Sequence, residues 1–298
     1  MNRIGQGANG TVYLALRGDE LVALKVAEDA SALSLEHENL ARLGTDAAGR
    51  RIGPRALEID DLTLGNRTIP ALSMEYVDGM SILDFVRERG VDWLPVLLLR
   101  ISKLLSSLHE RGYVFGDLKP ANILFVRASA EARLIDFGGV TVQGQAVKEF
   151  TEMFDRAWWG FGSRKADSGY DVCACALLGI HVLGLVQKAD VERLAQRAPA
   201  ERRLWLLARL QDKQFRTPFL EILQQAVIGN YRDTRSFIQE VGKVLEDNPI
   251  VASAVQASAV TAVRKPARKR SQPWDVTDWG LLIAIIVFAI TLVLLIWL

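Results

Sequence analysis

Two short polar loops hold the residues of this sequence best suited to chemistry. Asp117 and Asn122 lie in Asp117-Leu118-Lys119-Pro120-Ala121-Asn122, and Asp136 lies in Ile135-Asp136-Phe137-Gly138. Phosphoryl transfer requires one carboxylate near the attacking hydroxyl and separate oxygen ligands for magnesium, and Asp117, Asn122 and Asp136 supply such a set. Far upstream, Gly5-Gln6-Gly7-Ala8-Asn9-Gly10-Thr11-Val12 has the pattern G-x-G-x-x-G-x-V, in which missing side chains let backbone amides close over nucleotide phosphates. Val22-Ala23-Leu24-Lys25 then ends an apolar strand on a lysine, which can neutralise the α- and β-phosphates when an acid holds it in place. That acid is Glu36 or Glu38. Leu33, Leu40 and Leu43 lie three, four and seven residues from Glu36, so Glu36 shares their inward helical face while Glu38 is turned about 160–200° away. Singly, each of these features is a common turn or a solvated helix face. Five of them in one order, with compatible gaps, make an argument.

Elements to position these residues can be read from the hydrophobic periodicity. Short alternating runs at 11–16, 21–26 and 69–76, with one helical stretch near 32–43, predict a small β-rich lobe. From Trp93 onward the pattern is helical, opening with a helix over 95–111 that Gly112 closes, and this predicts a larger α-rich lobe. Two short strands, Ile123–Val126 and 133–135, interrupt it with glycine-bearing loops, where reactive groups usually sit.

With 298 residues, half of them apolar, the chain can bury a substantial core, and disorder is excluded for most of it. The net charge of +1 hides an asymmetry, because Arg264, Lys265, Arg268, Lys269 and Arg270 face only Asp275 and Asp278 after residue 247. Cys173 and Cys175, two apart on a helix, point to different faces and fit a reduced compartment rather than a disulfide. His37, His109 and His181 stand apart from any ligand-spaced partner, so no zinc site is expected. Residues 1–18 show no charged stretch followed by an apolar one, so no signal peptide is expected there. Residues 280–298 are apolar and uncharged, a length that spans a bilayer, with Trp279 and Trp297 as interfacial anchors.

Taken together, residues 3 to about 180 resemble a Hanks-type protein kinase domain, and the later helices would complete a short C-lobe. The resemblance implies a bilobal α+β fold, ATP with Mg²⁺ (or Mn²⁺) as cofactors, Asp117 as base and Asn122 and Asp136 as metal ligands. It places Gly5, Gly7, Gly10, Val12, Ala23 and Lys25 at the nucleotide. Met74-Glu75-Tyr76-Val77 resembles the family's hinge, with Met74 as gatekeeper and the backbone of Glu75 and Val77 at the adenine. Asp171 resembles the buried aspartate that anchors the catalytic loop, and Lys119 marks serine/threonine specificity. More narrowly, Phe115-Gly116-Asp117-Leu118-Lys119-Pro120 and the run from Glu149 to Gly160 are similar to the YabT-type kinases of endospore-forming bacteria, which end in one transmembrane helix. Phe115-Gly116 stands where most members have His-Arg, so the arginine that pairs with a phosphorylated activation segment is absent, and no Ala-Pro-Glu closes that segment.

The organisation expected from the sequence is therefore a kinase domain over 1–247, a basic disordered tether over 248–278 and a transmembrane helix over 279–298. The catalytic domain would face the cytoplasm by the positive-inside rule. Expected partners are protein substrates, the membrane, and non-specific DNA or anionic lipid at Arg264, Lys265, Arg268, Lys269 and Arg270, with transient self-association for trans-autophosphorylation. Thr141, Thr151 and Ser163 are candidate phosphosites, Thr151 foremost because it lies mid-segment. Alternative readings are a small-molecule phosphotransferase, suggested by Gly116-Asp117, a catalytically dead scaffold, and a binding module built on the basic tether.

Overall fold

The computed structural model describes residues 2–246 apart from 8, 65–66 and 213–216. The chain divides into the units Met1–Thr261 and Ala262–Leu298, and only the first contains described residues. Strands β1 (Asn2–Gly7), β2 (Gly10–Arg17), β3 (Glu20–Val26), β4 (Ala56–Leu64) and β5 (Arg67–Glu75) form an antiparallel sheet in the order β1-β2-β3-β5-β4. The register sets Ala23 opposite Met74 and Lys25 opposite Leu72, and period-two alternation puts all four on one face of the sheet. β4 has no clear signal in the sequence, because Asp60 and Asp61 break the alternation.

Helix α1 (Ala30–Leu43) starts where the Asp29 carboxylate accepts the amides of Ser31 and Ala32, and it buries Leu33, Glu36, Asn39, Leu40 and Leu43. Those spacings trace one inward stripe with a carboxylate inside it. Glu38 is exposed.

The second lobe contains β6 (Gly79–Met80), α2 (Ile82–Arg89) and α3 (Leu94–His109), whose Leu97, Leu98, Ile101, Leu105 and Leu108 are fully buried. Short strands β7 (Tyr113–Val114), β8 (Ile123–Val126), β9 (Ala132–Leu134) and β10 (Thr141–Val142) follow. They form a β6-β8-β9 sheet and a β10-β7 pair that hold the polar loops between them. Helix α4 (Ser168–Val182) is buried on all sides from Tyr170 to Ile180, and α5 (Lys188–Leu194), α6 (Pro199–Leu210), α7 (Pro218–Val227) and α8 (Thr234–Glu246) complete the lobe. A helix with no polar stripe belongs at the centre of a lobe rather than at its surface.

One expectation is corrected here. The bilobal fold was to end in a transmembrane helix, but among the described residues no helix is long and apolar enough to cross a membrane. The membrane partner and the single-pass location drawn from that helix are withdrawn with it. Residues 248–278, with Arg264, Lys265, Arg268, Lys269 and Arg270 and the DNA or lipid contacts expected of them, lie outside the described residues, as does 279–298.

Cys173 and Cys175 point apart: Cys173 Sγ meets the Val227 carbonyl and Cys175 Sγ meets Ser102 Oγ, each at 3.7 Å. Burial pushes both thiols up to about 12. An unfolded thiol ionises near ~8.5. Above that pH the unfolded state binds fewer protons than the folded one, so stability falls as pH rises from about 8.5 towards 12. We predict that unfolding midpoints measured from pH 8 to 10 decline, and that Cys173→Ala with Cys175→Ala flattens the decline. Native protein at pH 8 should leave both thiols unmodified by a maleimide, and denaturant should expose both.

Candidate active site

Lys25 leaves β3 towards α1, and its Nζ lies 2.6 Å from Glu36 Oε2 and 3.2 Å from Asp136 Oδ1. Burial alone would lower the pKa of the ammonium. The two carboxylates outweigh that penalty and raise the lysine pKa above its ordinary value. Burial is also the larger influence on Glu36 and raises its carboxyl, while Lys25 pulls it back. The pair thus ties the sheet of one lobe, its helix, and a loop of the other lobe to a single nitrogen.

Asp136 takes a left-handed backbone at φ 70°, uncommon for a residue with a side chain. The next residue, Phe137, is fully buried and fixes the loop. Its ring packs edge-on against Phe115 at 5.9 Å between centroids, and its carbonyl accepts Asn39 Nδ2 from α1 at 3.1 Å. Gly53 makes room for that ring, since a Cβ there would stand 2.5 Å from Phe137 Cε2.

Asp117 follows β7 and is nearly buried. Lys119 Nζ donates to its Oδ2, Asn122 Nδ2 donates to its carbonyl at 2.9 Å and to Oδ2 at 3.2 Å, and Thr151 Oγ1 donates to Oδ1 at 3.0 Å. From beneath, the fully buried Asp171 carboxylate accepts the amides of Phe115 at 2.8 Å and Gly116 at 3.0 Å, and it meets His109 Nε2 at 2.8 Å. Gly116 has φ 85°, and a Cβ there would stand 3.2 Å from the Gly139 carbonyl. An arginine at that place would carry both a strained backbone and a crowded side chain.

Between the lobes lies a cleft of about 820 Å³, and every site residue expected from the sequence lines it: Gly5, Gly7, Gly10, Val12, Ala23, Lys25, Glu36, Met74, Glu75, Val77, Asp117, Lys119, Asn122 and Asp136. Its volume suits a nucleotide. The Val77 amide donates to no backbone carbonyl among the described residues, and Val77 lines the cleft. Asn122 spends its Nδ2 on Asp117, its Oδ1 accepts no hydrogen bond among the described residues, and it lines the cleft together with the partly exposed Asp136. No group of three or more His, Cys, Asp or Glu that could hold a metal occurs among the described residues. An asparagine and an aspartate suit magnesium, which keeps waters and takes phosphate oxygens rather than a full protein cage.

Sequence reasoning missed several members. Thr151, the foremost candidate phosphosite, has its hydroxyl engaged with Asp117. Thr141 is buried and donates to the Gly139 carbonyl at 2.9 Å, so of the three candidates Ser163 is the exposed one. Leu124, on β8, lines the cleft from below. Asn9 Nδ2 donates to Glu149 Oε2 at 2.7 Å across the mouth. Strand alternation could have pointed to Leu124, whereas nothing local marks Asn9 and Glu149.

A family model described as protein kinase domain matches residues 1–160. The chain is 32% identical over 272 residues to serine/threonine-protein kinase YabT of Bacillus subtilis (strain 168), covering 91% of this chain and 78% of that protein. It is 27% identical over 197 residues to serine/threonine-protein kinase PknI of Mycobacterium tuberculosis (strain ATCC 25618 / H37Rv), covering 63% of this chain and 32% of that protein. It is 32% identical over 121 residues to protein kinase YpkA of Yersinia pseudotuberculosis serotype I (strain IP32953), covering 36% and 16%.

The Thr151 contact generates a prediction. Thr151→Ala should lower turnover about tenfold by freeing the Asp117 carboxylate, with little change in KM for ATP, and Thr151→Ser should restore most of it. Steady-state phosphate transfer by the three proteins measures this.

Proposed function

The chain belongs to the Hanks-type protein serine/threonine kinase family, and on that premise we propose that the residues gathered in the cleft carry out its reaction in defined roles. The enzyme is an ATP-dependent protein serine/threonine kinase that uses Mg²⁺. The observation that carries the role assignment is the convergence of Lys25, Glu36 and Asp136 beside Asp117 and Asn122 in one cleft.

Glycines 5, 7 and 10 let the β1–β2 backbone approach the triphosphate, and Lys25, held by Glu36, orients its α- and β-phosphates. Val12, Ala23 and Leu124 sandwich the adenine, Met74 closes the back of its pocket, and the backbone of Glu75 and Val77 meets its polar edge. Asn122 and Asp136 would hold magnesium, which when bound neutralises charge on the phosphate oxygens. Asp117 accepts the proton of a serine or threonine hydroxyl as that oxygen attacks the γ-phosphorus, and the bond to the leaving ADP breaks. Lys119, paired with Asp117, places a positive charge beside the oxygens that carry developing charge. Asp171 and Thr151 keep Asp117 aimed without a phosphate-binding arginine at position 116.

A dead scaffold has no need of this set, and none of its polar members is displaced. The small-molecule alternative rested on Gly116-Asp117, but Gly116 is explained by its backbone and its contacts with Asp171 and Gly139.

We predict that Lys25→Ala, Asp117→Asn and Asp136→Ala each remain folded by circular dichroism and each lose on the order of 10²–10³ or more in the rate of labelled-phosphate transfer from ATP to protein. A folded variant with the wild-type rate would remove that residue from its assigned role.

A further inference from the structure

Glu149 is a charged group in the cleft that the reaction as described does not use. A Cβ placed on Gly139 would lie 3.4 Å from Glu149 Cβ and 3.7 Å from Asp117 Cβ, so the two acids flank one point of the loop. A Cβ on Gly138 would lie 3.4 Å from Asp136 Oδ1 and 3.7 Å from Glu149 Oε1. The Glu149 side chain therefore lies against the Gly138–Gly139 turn, its Cβ on the Asp117 side and its carboxylate near Asp136 and Glu36 within the cleft.

Its only hydrogen-bond partner among the described residues is a neutral amide, Asn9 Nδ2 at 2.7 Å. Lys25 is paired with Glu36 and Asp136 and Lys119 with Asp117; Lys148 lines the same cleft, but no described cation lies within salt-bridge distance of Glu149. The segment carrying it is fixed on its far side: Arg164 lies over the Phe150 ring at 3.7 Å, and Thr151 binds Asp117. Glu149 is part-exposed where it lines the cleft that also holds Asp117, so a polypeptide bound there can reach its carboxylate.

We propose that Glu149 is a specificity-determining residue, pairing with a lysine or arginine adjacent to the serine or threonine that is phosphorylated. The proposal rests on the reading of Asp117 as base. The Asn9 amide occupies the carboxylate when no substrate is bound, and a cation displaces it, because an ion pair in a partly desolvated cleft is stronger than a hydrogen bond from a neutral amide. The preference is electrostatic, so it weakens as salt rises.

The test uses the full chain, Mg²⁺-ATP and a peptide array with one central serine or threonine and either lysine, alanine or glutamate at each flanking position. The wild type should favour lysine at one or two flanking positions over alanine by about tenfold in kcat/KM. Glu149→Gln, which can still accept the Asn9 amide, should bring that ratio close to one, and Glu149→Lys should favour glutamate at the same positions. A lysine preference that persists in Glu149→Gln, or no preference in the wild type, overturns the proposal. So does a change of equal size for lysine and alanine peptides, which marks a purely structural Asn9–Glu149 contact. Asp117→Asn on the same array separates the two readings: transfer at the wild-type rate would overturn the assignment of the base itself.

Discussion

One buried ammonium, Lys25, holds the active cleft together. It satisfies Glu36 on the helix of the small lobe and Asp136 on a loop of the large lobe, and each of the three is costly to bury alone. The charges compensate one another only when β3, α1 and the Asp136 loop stand in one arrangement. Asn39 and Leu40, each about one turn on from Glu36, lock the same arrangement through Phe137, whose ring fills the slot left by Gly53. Helix position and loop position are consequently one variable rather than two.

Asp117, the proposed base, depends on a second network built on Asp171. That carboxylate caps the amides of Phe115 and Gly116, while Thr151 reaches back to Asp117 from the segment beyond. In many relatives an arginine before the base joins the loop to a phosphorylated segment. Here a glycine with φ 85° occupies the place, and the connection is a neutral hydroxyl. The loop in this chain is held by the buried Asp171 carboxylate and by the Thr151 hydroxyl.

Much of this was legible in the sequence, for identifiable reasons. Lys25 and Ala23 share a sheet face because strands alternate, and Glu36 shares a face with Leu33 and Leu40 because helices repeat at 3.6 residues. Both periods are local. The Asn9–Glu149 contact joins residues 140 apart and the Thr151–Asp117 contact residues 34 apart, and no local pattern encodes either. β4 escaped because Asp60 and Asp61 sit where an apolar residue would have completed the alternation. The apolar run near the end of the chain was read as a membrane span from length and composition alone, and no described helix answers to it.

The claim that Lys25 and Glu36 act as one unit is tested most directly by a double-mutant cycle on phosphate transfer. Lys25→Met and Glu36→Gln are measured singly and together, with folding checked for each. The account predicts strong coupling, with the double variant within about threefold of Lys25→Met alone, because Glu36 has nothing left to position once the ammonium is gone. Losses that simply multiply would show that the two residues act independently and would contradict it.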